Sequence, residues 1–205
     1  MSTTAPTDRL ARAIDATGAL IDGVKSDQWS DPTPCPEWNV RALVNHLVGG
    51  NRLFVRILSG EEMPPPETLA RLRGADQLGD DPASAFRESG AALLEAFSKP
   101  GVLEDVYQVP AGRVPGVAAL HLRITEHLVH GWDLARATGQ PARLPDDLAE
   151  EELAFARGRN APDVPRTGQP FGPVQEVSED APAIDRLVAY LGRSTTAGLP
   201  ERERT

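Results

Sequence analysis

The chain has 205 residues, 40% hydrophobic and 25% charged, which suits one globular domain with a sizeable core. Its net charge of −9, with the cations scattered, argues against nucleic acid and against an anionic membrane surface as partners. No apolar run approaches the roughly 20 residues that span a bilayer, the N-terminal residues lack a signal-peptide core, and the lone Cys35 allows no intrachain disulfide, so a cytoplasmic protein is expected.

After a short polar arm, Leu10, Ala13, Ile14, Leu20 and Ile21 recur at three-four spacing, which predicts a first helix over residues 8–24. The prolines of SDQWSDPTPCPEWN stop it. Asn39 reads as an N-cap, its side-chain oxygen free to accept from the first turn of a second helix. That helix covers residues 40–58, with Leu43, Val44, Leu47, Val48, Phe54 and Val55 inward. Gly49 and Gly50 in its middle mark the close approach of a neighbouring helix or a ligand.

Residues 59–81 read as loop, with Pro64, Pro65, Pro66 and Gly79 breaking any periodicity. Asp81 and Pro82 then open a third helix, with Phe86, Ser89, Gly90, Leu93, Leu94 and Phe97 inward, ended by Pro100 and Gly101. Residues 103–114 read as an irregular connection or short hairpin. A central helix follows over residues 116–138, with Gly139 as its C-terminal stop and Pro141 beyond. Helices near residues 145–157 and 183–191, with a loop between them, close the chain, and the final GLPERERT is expected to fray. The sum is one domain over residues 1–205, an all-α bundle of four main helices with shorter additions.

The central helix carries the chemistry. Glu126 and His130 in TEHLVHGWDLARATGQ are four apart and share one helix face. His46, on the second helix, can complete a set of two histidines and one glutamate, a known catalytic zinc pattern with an open position for water. Spacing alone favours a plain surface pair with His46 at the core edge. Burial restores the balance, because a carboxylate on a helix that is apolar nearly all round is costly without a cation.

His121 and His127 point away from the Glu126 face and read as ordinary hydrogen-bonded histidines. Asp133, three residues after His130, could orient that imidazole, although a surface pair with Arg136 or Arg123 is the favoured reading. Cys35, between two prolines ahead of a helix, reads as structural, no base being evident nearby. Trp38 and Trp132 read as core or pocket wall.

Three blocks, TPCPEWNVRALVNHLVGGN, EHLVHGWDLARATGQP and FGPVQEVSEDAPAIDRLVAYLGR, together resemble an actinobacterial metal-binding group. That group belongs with the DinB-like bundles and the N-terminal domain of mycothiol-dependent maleylpyruvate isomerase. The resemblance runs from about Leu10 to Arg193. It implies a DinB-like four-helix bundle with extra short C-terminal helices, holding one divalent metal, zinc before nickel or manganese. Its ligands fall on His46, Glu126 and His130. It also implies a small-molecule thiol of the mycothiol type as cosubstrate, a small electrophile as acceptor, and a homodimer by analogy with DinB-like relatives.

The isomerase adds a C-terminal α/β domain, for which the residues after Leu144 leave no room. A thiol S-transferase is therefore expected ahead of an isomerase. The alternatives are a binding or sensing bundle in which any metal is structural, and metal-assisted hydrolysis, for which no general base stands out.

Overall fold

The computed structural model describes residues 5–159 and 172–196. Residues 160–171, within the last expected loop, and the GLPERERT tail lie outside the described residues. The elements run α1 (Pro6–Asp22), α2 (Val40–Leu58), α3 (Pro66–Gly74), α4 (Pro82–Phe97), β1 (Val106–Val109), β2 (Gly112–Pro115), α5 (Gly116–Thr138), α6 (Asp146–Arg159) and α7 (Ala183–Tyr190). The fold is all-α, a DinB-like four-helix bundle with short helices after it and one small hairpin.

Helices α1, α2, α4 and α5 form the bundle. Helices α4 and α5 each pack against both α1 and α2, so α1 faces α2 across one diagonal. Leu10, Leu43, Leu47, Leu93, Leu120, Ile124 and Leu128 all lie within 1% of complete burial in its core. Helices α6 and α7 pack on each other and on the outer side of α5, which therefore has neighbours nearly all round. Seventeen of its 23 residues are buried, matching its apolar sequence.

The local signals at the helix ends are realised. The Asn39 side chain accepts from Ala42 N at 2.8 Å, and Asp81 accepts from Ser84 N at 2.9 Å. Gly139 takes the left-handed conformation, φ 68°, that stops α5. The short hairpin also forms, pairing Val106 with Pro115 and Val109 with Gly112 across a two-residue turn. Among the described residues no helix is long and apolar enough to cross a membrane.

One expectation is corrected. Residues 66–74 are helical rather than loop. Pro66 sits in the first turn, where a missing N–H costs nothing, with Glu67 near the N-terminus and Arg71 and Arg73 near the C-terminus, the signs the helix dipole favours. None of its residues is buried, so it has no apolar stripe from which periodicity could reveal it.

Two substitutions separate core packing from capping. Leu128→Ala should cost about 2–5 kcal/mol of stability and Asn39→Ala about 1 kcal/mol, each read as a lowered denaturant midpoint at unchanged slope. A cost below about 1 kcal/mol for Leu128→Ala would contradict the packing described for α5.

Candidate metal centre

His46 on α2 meets Glu126 and His130 on α5, a convergence that spacing alone did not favour. His46 Nε2 lies 2.9 Å from Glu126 Oε2, and His130 Nε2 lies 3.5 Å from the same oxygen. Donor atoms of the three residues lie within 4.8 Å of one another. Two ring nitrogens and a carboxylate oxygen converging in this way could hold one divalent ion. His46 and Glu126 keep 25% and 23% of their side-chain surface exposed, whereas His130 keeps 6%. The cluster is thus open to solvent on one side.

Asp133, one turn on from His130, is fully buried and not the surface partner of Arg136 or Arg123 that local spacing favoured. Its Oδ2 lies 3.0 Å from His130 Nδ1. A carboxylate can only accept, so Nδ1 carries the proton and Nε2 is left to face Glu126. Arg193, just beyond α7, clamps the same carboxylate from behind. Its Nη2 donates to Oδ2 at 3.1 Å and its Nε to Oδ1 at 3.4 Å.

The loop before α2 supplies the third wall. A bridge between Pro32 and Asn39 closes it. Inside it the Thr33 hydroxyl lies 2.7 Å from the Trp38 carbonyl and accepts from Cys35 N at 3.1 Å. This brace turns Trp38 onto the histidines. Its ring stacks on His46 at 4.4 Å and tilts toward His130 at 5.7 Å. The same brace brings Cys35, half-buried, to the site. Its Sγ lies 3.4 Å from Asp133 Oδ2 and 2.9 Å from Arg193 Nη2, a polar setting that its neighbouring prolines did not disclose.

A buried polar network supports the floor. Arg123, 3% exposed, donates to Asn51 Oδ1 at 2.8 Å, lies over the Phe54 ring, and brings Nη1 to 3.9 Å from Glu126 Oε2. His127 shares Asn51 Oδ1 at 3.2 Å, and Asn51 donates to Ser89 Oγ. Gly50 makes this possible, since a Cβ there would stand 2.8 Å from the Arg123 guanidinium. Of the glycine pair, Gly50 thus marks a close approach by α5, whereas a Cβ at Gly49 would meet only Gln77, at 3.5 Å. Sequence reasoning missed Arg123 as a site neighbour, although its place three residues before Glu126 was a usable signal. His121 takes no part, lying 2.7 Å from buried Glu152.

These contacts set the charges. Burial would raise the pKa of Glu126, but hydrogen bonds and charge from His130 and His46 hold it well below the usual carboxylate range. His130 goes the other way. Burial opposes its charge, yet Asp133, Cys35 and Glu126 together push it well above the ordinary imidazole value. Burial prevails at His46 over the pull of Glu126 and lowers its pKa. His127 is driven well below by burial and then by Arg123. Without a metal, these contacts therefore favour the charged forms of Glu126 and His130 and the neutral form of His46.

The family model for the mycothiol maleylpyruvate isomerase N-terminal domain matches residues 10–135. The Mycobacterium tuberculosis protein Rv0738 is 37% identical over 183 residues, covering 89% of this chain and 94% of its own length. Rv0036c of the same organism is 28% identical over 136 residues, 61% of this chain and 53% of that protein, about half of its length. The crystal structure of the mycothiol-dependent maleylpyruvate isomerase superposes with a TM-score of 0.58 at 19% identity, covering 75% of this chain and 71% of that one, a likeness of fold. With more than half of its length matched by the family model, the chain belongs to the mycothiol maleylpyruvate isomerase N-terminal domain family.

Proposed function

We propose that the protein is a divalent-metal-dependent thiol S-transferase, acting in the cytoplasm as a single bundle domain, with a mycothiol-type thiol as cosubstrate and a small electrophile as acceptor. The observation that carries this reading is the convergence of His46 Nε2, His130 Nε2 and Glu126 Oε2 at a place that is partly open to solvent. A closed four-ligand site would suit a structural ion. Three ligands with an exposed side suit one that takes a further ligand. The family's name supports a thiol in that position. Zinc fits a set of two imidazoles and one carboxylate, and nickel and manganese are the alternatives.

A divalent ion held there would lower the pKa of a thiol bound to it, so that the thiolate exists near neutral pH. The rest falls to the chain. Asp133 holds His130 in the tautomer that presents Nε2. Trp38 packs over both imidazoles and walls one side. Arg123 adds positive charge behind Glu126, which favours an anionic ligand on the open side. In the transfer the thiolate sulfur forms a bond to an electrophilic carbon of an unsaturated acceptor. The carbon's π bond breaks with its electron pair moving to the neighbouring atom, and that atom takes up a proton from solvent in place of the one the thiol released.

Elemental analysis of protein purified without chelator or nickel resin should give one metal per chain. His46→Ala and His130→Ala should each lose it with the helical circular dichroism intact, and thiol-dependent turnover should vanish with it. A wild type that resists loading with zinc, nickel and manganese would sink this reading. Metal bound without turnover, and unfolding on its removal, would point to a structural ion in a binding module.

Proton release provides an independent check. The contacts of His130 favour its protonated form in the metal-free protein, so ligation would displace that proton. Zinc uptake at pH 7 should release about one proton per ion, measured by calorimetry in buffers of different ionisation enthalpy. Affinity should fall as pH falls. A heat of binding that does not depend on the buffer would refute the protonation state assigned to His130.

A further inference from the structure

His130 belongs to two donor sets. Through Nε2 it faces Glu126 and through Nδ1 it faces Asp133, with His46 completing the first set and Cys35 the second. In each trio the donor atoms lie within 4.8 Å of one another, so sequence and distance alone leave two places for one ion. We propose that Arg193 decides between them. Its guanidinium occupies the cation position of the Cys35–His130–Asp133 set and so assigns the metal to the His46–Glu126–His130 set.

The geometry is that of an occupied cation site. Arg193 Nη2 stands 2.9 Å from Cys35 Sγ and 3.1 Å from Asp133 Oδ2, and Nε reaches Oδ1 at 3.4 Å. A guanidinium stays charged at any pH the protein survives and donates in a fixed fork. It therefore occupies the acceptor positions of Asp133 and the sulfur without offering an open coordination position. Asp133 remains on Nδ1, and Nε2 is the nitrogen left to ligate. A second dication beside the guanidinium would meet direct repulsion.

The device comes from the C-terminal part of the chain. The family match ends at residue 135, whereas Arg193 follows α7. Helix α7 is held on α5 by Trp132 Nε1, which donates to Asp185 Oδ1 at 2.8 Å, and by packing against α6. The Arg193 side chain is 11% exposed and Asp133 is not exposed at all, so the carboxylate of this set is closed to solvent, whereas that of the His46 set keeps 23% of its side chain exposed. The inference shares the metal reading above for the first set, but not for the second.

Cobalt titration of the metal-free full-length chain tests it, because cobalt bound to a thiolate shows a sulfur-to-metal charge-transfer absorption and cobalt bound only to nitrogen and oxygen does not. Wild type should bind one ion without that absorption. Arg193→Gln should bind the ion roughly tenfold more weakly or worse at the His46 set and should gain the sulfur absorption as Cys35 ligates, its thiol proton passing to solvent. The double variant Arg193→Gln with Cys35→Ser should lose the absorption again. Arg193→Lys, which keeps the charge, should not show it. Arg186→Gln, which removes the α7–α6 ion pair to Glu150, should behave as wild type.

A sulfur absorption in wild type would overturn the inference. So would wild-type binding in Arg193→Gln, or the same spectral change in Arg186→Gln, which would assign the effect to α7 packing. If wild type binds no cobalt, the proposed function fails by itself. The Arg193→Gln chain still decides the inference, which stands if the sulfur absorption appears and falls if no cobalt binds. Should Arg193→Gln not fold, a sulfur absorption in Arg193→Lys overturns the inference and its absence at one bound ion supports it.

Discussion

Placing Arg123, Glu126, His127, His130 and Asp133 on one helix of an apolar bundle sets the terms for everything packed around it. A charge taken from water costs several kcal/mol unless it is paired and hydrogen-bonded, and α5 carries this load within three turns. Each neighbouring element answers one part of it. Helix α2 supplies His46 to Glu126 and Asn51 to Arg123 and His127. The loop before α2 brings Cys35, and the segment after α7 brings Arg193, to Asp133. The bundle and its two appended helices are therefore coupled through polar contacts as well as through the core.

Compensation of this kind needs space, and small residues provide it. Gly50 lets the Arg123 guanidinium lie against α2, where any side chain would collide with it. On the opposite side of α5, Gly131 adjoins Leu144 and Thr17, and the Thr17 hydroxyl reaches the His127 carbonyl at 2.9 Å. Close approach of α1 and α2 to α5 thus keeps water from the buried charges. A low local dielectric strengthens the pairs that form and raises the cost of losing one partner. Removing Asn51 would strand Arg123 and His127 together, not singly.

Features fixed by neighbouring residues were legible in the sequence. The Asn39 and Asp81 caps, the Gly139 stop, the hairpin between β1 and β2, and the bundle itself follow from local chemistry and hydrophobic period. The facing of Glu126 and His130 follows from a spacing of four, and the placement of His46 beside them came from the family resemblance. Helix α3 was hidden because it buries nothing and so leaves no pattern. Asp133 was misread for a different reason. Its contact with His130, three residues away, was the alternative that spacing offered, but its other partner, Arg193, is 60 residues away, and spacing says nothing about a contact that depends on how α7 docks. Cys35 was set aside on the same ground, since its neighbours come from α5 and from beyond α7.

The two halves of the cluster differ in a way that bears on direction of approach. Around Asp133 the acceptors are taken by Arg193, Cys35 and His130, and almost no surface remains. Around His46 and Glu126 about a quarter of each side chain is exposed, beneath the ring of Trp38. The exposed part of the cluster thus lies beside an aromatic surface. An aromatic ring stacked on the His46 imidazole covers one of its faces without covering the other. Trp38 owes that position to the Thr33 brace inside its loop. The shape of this site thus depends as much on the hydrogen bonds of a proline-rich loop as on the three residues that could hold an ion.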